Sequence, residues 1–300
     1  MLEENNLKKE SVQDILIEGE GYSSECNEDI NPGLILRDFL QKLCPIQSDT
    51  GLSFISQIDY SFKADGALSE LVYKSTINYL VRRLINTAEY LRRRYESDDF
   101  PEGTFVQELR SYLKSETRFR DPDIEKIISI IQACLSVRNQ RRKSRQAFVK
   151  HKKQIGRAYG LLCYICGKSL SSEEEEIQVE HNWPKALGGS SKYFNLRLSC
   201  KSCNSEKGSY IDGSDFHYEH ICLSTDETND GFNHELKGLY RVALSAKSNY
   251  RCTLCEGDVE SVGRLRFVRR NPNDSWHYLN IDAICEGCFE SLSLSENGNG

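Results

Sequence analysis

Cys163-Tyr-Ile-Cys166, Ile177-Gln-Val-Glu-His-Asn-Trp-Pro184, Leu187-Gly-Gly189, Tyr193-Phe-Asn-Leu-Arg-Leu198 and Cys200-Lys-Ser-Cys203-Asn204 follow one another within a short stretch of the chain. Its two Cys-x-x-Cys knuckles supply four thiolates, and each knuckle bends the backbone around an ion, as a tetrahedral structural zinc site requires. The scheme returns downstream as Cys252-x-x-Cys255 and Cys285-x-x-Cys288. There Tyr278-Leu-Asn-Ile281 stands before Cys285 as Tyr193-Phe-Asn-Leu196 stands before Cys200, so Asn195 and Asn280 each lie five residues ahead of a cysteine. With Pro184 set against Pro272, Glu180 falls on Val268 and His181 on Arg269; counted from the knuckles, Asn204 falls on Phe289.

The order of residues in the first copy, Cys-x-x-Cys, an acidic residue followed by His, a proline-containing loop, Asn, then Cys-x-x-Cys followed by Asn, resembles the HNH (ββα-metal) endonuclease family in its treble-clef subtype. The resemblance covers roughly residues 160–210 of the 300. It implies that His181 is the general base acting on the attacking water, that Glu180 and Asn204 hold a catalytic Mg²⁺ or Mn²⁺, and that Asn195 braces the loop. The cysteines would hold two structural Zn²⁺ ions, one on Cys163, Cys166, Cys200 and Cys203 and one on Cys252, Cys255, Cys285 and Cys288. The chemistry is self-consistent, because a neutral imidazole accepts a proton near neutral pH and a hard cation offsets charge growing on a phosphate. Glu180 departs from the family's usual Asp by one methylene, which bears on ion choice and rate more than on reaction type. Glu180 and His181 are adjacent and would point to opposite faces of a continuing strand, so the strand must end or distort there, and Trp183-Pro184 suits such a break. The second copy has lost base and metal ligands, and reads as a degenerate repeat that keeps its zinc. Arg264, Arg266, Arg269 and Arg270 stand where the active hairpin would be and suit either a phosphate grip or a surface strand, whereas Trp276 and His277 read as packing residues.

Around these modules the chain is acidic overall, with a net charge of −6, yet Arg138 to Arg157 holds nine Lys or Arg and no carboxylate. Such a run directly before the zinc module reads as a DNA-facing segment. The run Glu173 to Glu176 reads as solvated. Eight of the twelve cysteines fall in the four pairs, which argues against a secreted disulfide scaffold and for zinc in a reducing compartment. No apolar run approaches the roughly 20 residues of a membrane span, and the acidic start lacks the basic opening of a signal peptide, so the expected location is cytoplasmic, away from membranes.

The fold class expected is α+β. Residues 1–62 read as an acidic, partly ordered region with Pro32-Gly33 as punctuation and a short helix near Leu34–Leu43. Residues 63–150 read as a helical scaffold or docking domain: Leu68, Leu71, Ile77, Val81, Leu84, Ala88 and Leu91 recur at helical spacing with Arg82, Arg83 and Arg92 to Arg94 outside, a shorter helix covers Phe105–Leu113, and a third starts at Asp121-Pro122, continuing into the basic run. Residues 151–211 form the HNH domain, 212–236 an acidic linker with exposed His217, His220 and His234, 237–293 the degenerate repeat, and 294–300 a disordered tail. The expected function is metal-dependent hydrolysis of DNA, with RNA the second candidate substrate. A protein partner, such as a controlling ATPase in a bacterial defence or restriction system, would dock on the helices. The alternative is a non-catalytic, zinc-containing DNA- or protein-binding subunit.

Overall fold

The computed structural model describes residues 30–46, 54–62, 64–96, 99–139, 151–152, 154–157, 160–170, 177–216, 222–223, 228–236 and 238–297. The N-terminal part is built from α1 (Pro32–Leu43), α2 (Phe54–Ser61), α3 (Ala67–Tyr95), α4 (Thr104–Glu116) and α5 (Asp121–Asn139). Their apolar stripes meet in one core: Leu36 and Leu40 of α1, Ile77, Val81, Ile85 and Ala88 of α3, Leu109 and Leu113 of α4, and Ile124, Ile127 and Ile131 of α5 are buried together. Each such side chain contributes roughly 1.5–3 kcal/mol by leaving water. The long α3 contains all the positions from Leu68 to Leu91 whose helical spacing recurs. Arg82 and Arg92, however, are not simply outside it: Arg82 reaches Asp215 at 2.6 Å, and Arg92 is held against Glu89. Most of the basic run, residues 140–150, lies outside the described residues, as do Glu173 to Glu176, His217, His220 and the last three residues.

Pro32-Gly33 is not punctuation but the opening of α1, with proline suited to a first helical turn because its missing N–H would have no intrahelical partner. Gly33 is required there, since a Cβ would fall 1.7 Å from the Leu187 carbonyl oxygen.

Two small antiparallel hairpins carry the two four-cysteine modules. In the first, β1 (Ile177–His181) pairs with β2 (Leu196–Cys200), and α6 (Lys201–Lys207) follows. In the second, β4 (Leu265–Arg269) pairs with β6 (Ile281–Cys285), and α10 (Glu286–Asn297) follows. The registers coincide: Cys200 opposes Ile177 as Cys285 opposes Leu265, so Glu180 superposes on Val268 and His181 on Arg269. Between the modules, where an acidic linker was expected, lie a 3₁₀ turn at Gly213–Asp215, β3 (Cys222–Leu223), α7 (Asn229–Glu235) and α8 (Gly238–Lys247), with α9 (Val259–Val262) inside the second module. β3 pairs with β5 (Trp276–His277), and buried Phe232 stacks on buried Trp276 at 4.0 Å. Two of the acids that suggest a linker are engaged: Asp215 accepts from Arg82 and from the Ile211 N–H, and Asp212 accepts from Asn78 and from the Ser214 N–H.

One hydrophobic core serves both zinc modules, running from Ile155, Tyr164 and Leu198 through Phe216 and Phe232 to Phe267, Trp276 and Ile284. Trp183, Leu187 and Ile211 of the first module belong instead to the core of the helices. None of the described helices is long and apolar enough to cross a membrane.

Candidate active site and zinc sites

The two cysteine sets are congruent down to their hydrogen bonds. In the first knuckle the Cys163 N–H donates to Lys168 O at 2.9 Å and the Gly167 N–H to Cys163 O at 2.8 Å; in the second the Cys252 N–H donates to Gly257 O at 2.9 Å and the Glu256 N–H to Cys252 O at 2.9 Å. The left-handed residue of the turn is Gly167 at φ +69° in one and Glu256 at φ +59° in the other. Within each set the four Sγ atoms lie within 4.8 Å of one another. Hydrogen bonds from the Cys163 and Cys203 thiols draw Cys166 down to about 4, so a thiolate forms readily in the first cluster. Backbone N–H groups also point at sulfur, Cys203 N to Cys200 Sγ at 3.5 Å and Cys285 N to Cys252 Sγ at 3.3 Å. Four soft donors so grouped fit a tetrahedral zinc ion.

Glu180 and His181 are the last two residues of β1, and the strand ends with them. The Glu180 carboxylate is buried, with Lys207 Nζ at 2.8 Å; the same ammonium donates to His181 O at 3.1 Å. Lys207, at the end of α6, is itself 1% exposed. Burial raises the Glu180 carboxyl above its ordinary value, against the downward pull of the Lys207 charge. His181 is half-buried, and its ring turns to the loop that links the strands, with Nε2 3.1 Å from Ser191 Oγ.

Asn195 is 1% exposed and ties that loop shut. Its Oδ1 accepts from the Trp183 N–H at 2.7 Å, and its Nδ2 donates to Trp183 O at 2.9 Å and Ser190 O at 2.8 Å. Asn280 repeats this in the second module, accepting from the Asn271 N–H at 2.9 Å and donating to Asn271 O at 3.0 Å and Ser275 O at 2.9 Å. Asn204 sits on α6 one turn before Lys207, a spacing that sets both on one helix face. The bond from α6 to Glu180 comes from Lys207, not from Asn204.

Residues 163–222 match the family model described as HNH endonuclease. That segment contains the first zinc set together with Glu180, His181, Asn195 and Asn204. An HNH endonuclease domain points to nuclease activity on a nucleic-acid substrate, and the cysteine groups fit zinc. No curated protein and no solved structure matches the chain.

In the second module three of the four arginines, Arg266, Arg269 and Arg270, are engaged within the chain. Arg266 pairs with Asp230 and Glu286 and lies over the Phe289 ring, Arg269 lies over Trp276, and Arg270 pairs with Asp282. Three residues of the HNH module's surroundings escape a reading of the sequence: Lys207, Ser191 and Asn31. A lysine ahead of a glycine ordinarily reads as a solvated helix end, and a lone serine or asparagine carries no signal by itself.

Proposed function

We propose that this chain is an endonuclease that hydrolyses phosphodiester bonds in DNA. The observation that carries the reading is His181 at the end of β1, beside Glu180 and oriented by Ser191, within a zinc-stapled HNH module. Held by Ser191 through Nε2, the neutral imidazole of His181 takes the proton from water. The water oxygen attacks phosphorus, and the bond from phosphorus to the leaving sugar oxygen breaks. Glu180 and Asn204 offer a carboxylate and an amide oxygen, hard donors that suit Mg²⁺ or Mn²⁺; the bond to Lys207 takes only part of a carboxylate's roughly four acceptor sites. A cation held there supplies positive charge to the phosphate and the leaving oxygen. Lys207 keeps Glu180 in place, and Asn195 keeps the loop in place. DNA follows the resembled family's habit, and the basic run before the module suits phosphate contacts. A helical unit fastened to the loop beside His181 also suits an effector that answers to a second component, as in restriction or antiviral defence.

The test is cleavage of supercoiled plasmid, single-stranded DNA and RNA by the parent chain and by His181→Ala in Mg²⁺ or Mn²⁺, with EDTA as the control. The expected result is cleavage of DNA by the parent, loss of about 10²- to 10⁴-fold in the variant, and unchanged zinc content. No cleavage by either protein, with both zinc ions bound, would point instead to a partner-activated enzyme or a zinc-containing binding subunit.

A further inference from the structure

Asn31 is placed where a helix cap belongs, immediately before Pro32, yet its side chain makes no capping bond to α1. An Asn at that position ordinarily accepts from the helix's own N–H groups. Here the side chain is turned across the interface. Its Oδ1 accepts from the Ser190 N–H at 2.9 Å, and its Nδ2 donates to Asn195 Oδ1 at 3.2 Å. Both partners are buried, and Asn31 itself is 9% exposed. Ser190 is the neighbour of Ser191, whose hydroxyl holds His181 Nε2. The contact is reinforced on either side. The Gly33 N–H donates to Gly188 O, the Arg37 guanidinium lies over Trp183, and Cys134 of α5 sits where a Cβ on Gly188 would come within 2.7 Å of its sulfur.

The second module supplies an internal comparison. Asn280 makes the same three loop bonds as Asn195, but the N–H five residues ahead of it, that of Ser275, is taken by Asp274 Oδ1 of the loop itself at 2.7 Å, where the Ser190 N–H is taken by Asn31. A bond from a separate helical region thus replaces a bond within the loop in the module that carries His181. It comes from outside the matched segment, on a helix that the HNH module does not itself contain.

We infer that Asn31 is a positioning residue, through which the helical region sets the alignment of His181 by way of Ser190, Ser191 and Asn195. The inference rests on the nuclease reading for its kinetic consequence, and on geometry alone for its spectroscopic one. A movement of α1 relative to the 182–195 loop would be transmitted to the imidazole, so a partner bound to the helices could change the rate without touching the substrate.

The test uses the full chain as parent, Asn31→Ala, Asn31→Asp, Ser191→Ala and the double Asn31→Ala/Ser191→Ala variant, with His181→Ala as the blank. Cleavage of a labelled DNA duplex in Mg²⁺ gives kcat and KM; the chain with ¹³C-labelled histidine gives ring signals for its six histidines, with His181 identified by its loss in the blank. Asn31→Ala should lower the thermal transition, yet at a temperature where the chain remains folded it should lower kcat about ten- to a hundred-fold with KM and zinc content close to the parent, as misalignment of a catalytic group does. The double variant should be no slower than Ser191→Ala, because the two residues act in series. Asn31→Asp keeps the oxygen facing Ser190 but loses the donor to Asn195, and should fall between parent and Asn31→Ala; if Asn31→Ala fails to fold, this variant decides. The His181 ring signal should move in Asn31→Ala while the other five stay. A parent-like rate with an unmoved ring signal, or losses that multiply in the double variant, would overturn the inference. If the parent cuts no nucleic acid, the nuclease reading fails, and the ring signals still decide whether Asn31 positions His181.

Discussion

A lysine buried as deeply as Lys207 needs partners for its ammonium, because an unpaired charge out of water is costly. Glu180 and the His181 carbonyl supply them. Removing the lysine alone, as in Lys207→Met, should cost about 3 kcal/mol, since Glu180 is then left charged in a dry site. The loss should depend on pH in a definite direction. The Glu180 carboxyl already lies above its ordinary value through burial, and without Lys207 it rises further. The folded variant then binds a proton that the unfolded chain has given up, so its stability falls as pH rises through that window. Denaturant unfolding of parent and variant at pH 5.5 and pH 7 should show a smaller difference at the lower pH; an equal difference would mean that Glu180 is not the group left exposed to the loss. The eight cysteines are legible in the sequence because metal geometry fixes their spacing, and Glu180, His181 and Asn195 because their order resembles that of the HNH family. Lys207, Ser191 and Asn31 are not, because their importance comes from burial and from partners up to 164 positions away.

The two hairpins answer the same structural question with different chemistry on their ends. Both loops are closed by an asparagine five residues ahead of a cysteine, and the repetition of three bonds separates what folding needs from what catalysis needs. Asn195→Ala and Asn280→Ala should each destabilise the chain by about 2–4 kcal/mol, as the loss of several buried hydrogen bonds implies. Only the first should abolish cleavage, because only that loop carries Ser191. Melting curves and cleavage rates of the two variants, measured side by side, check this; equal losses of activity would place the effect in the shared core. The break of the first strand ahead of Trp183-Pro184 and the superposition of the repeats, with Pro184 set against Pro272, were readable. The elements between the modules were not, because their acids mask two aromatic anchors, Phe216 and Phe232, whose burial depends on strands far along the chain. The expected extension of the third helix beyond Asn139 falls outside the described residues.

At the scale of the molecule, the second zinc module is not an appendage. Its Phe267, Trp276 and Ile284 share a core with Tyr164 and Leu198 of the first, and a Cβ on Gly167 in the first knuckle would lie 2.7 Å from the Arg264 backbone nitrogen in the second module. Cys285→Ala should therefore lower the thermal transition of both modules together and weaken retention of zinc at Cys163, Cys166, Cys200 and Cys203, because binding energy at a structural zinc is folding energy. Zinc analysis after dialysis and a single calorimetric transition are the expected readings; one zinc ion retained at parent affinity would show the modules to be independent. The pairing of an armed hairpin with one that carries Val268, Arg269 and Phe289 has a consequence for the product. Two equal centres on one body could sever both strands of a duplex in a single encounter. On the proposed nuclease reading, a body with one such centre would open them in turn, so that its first product would be a nick and a double-strand break would wait for the molecule to rebind or for a second copy to arrive.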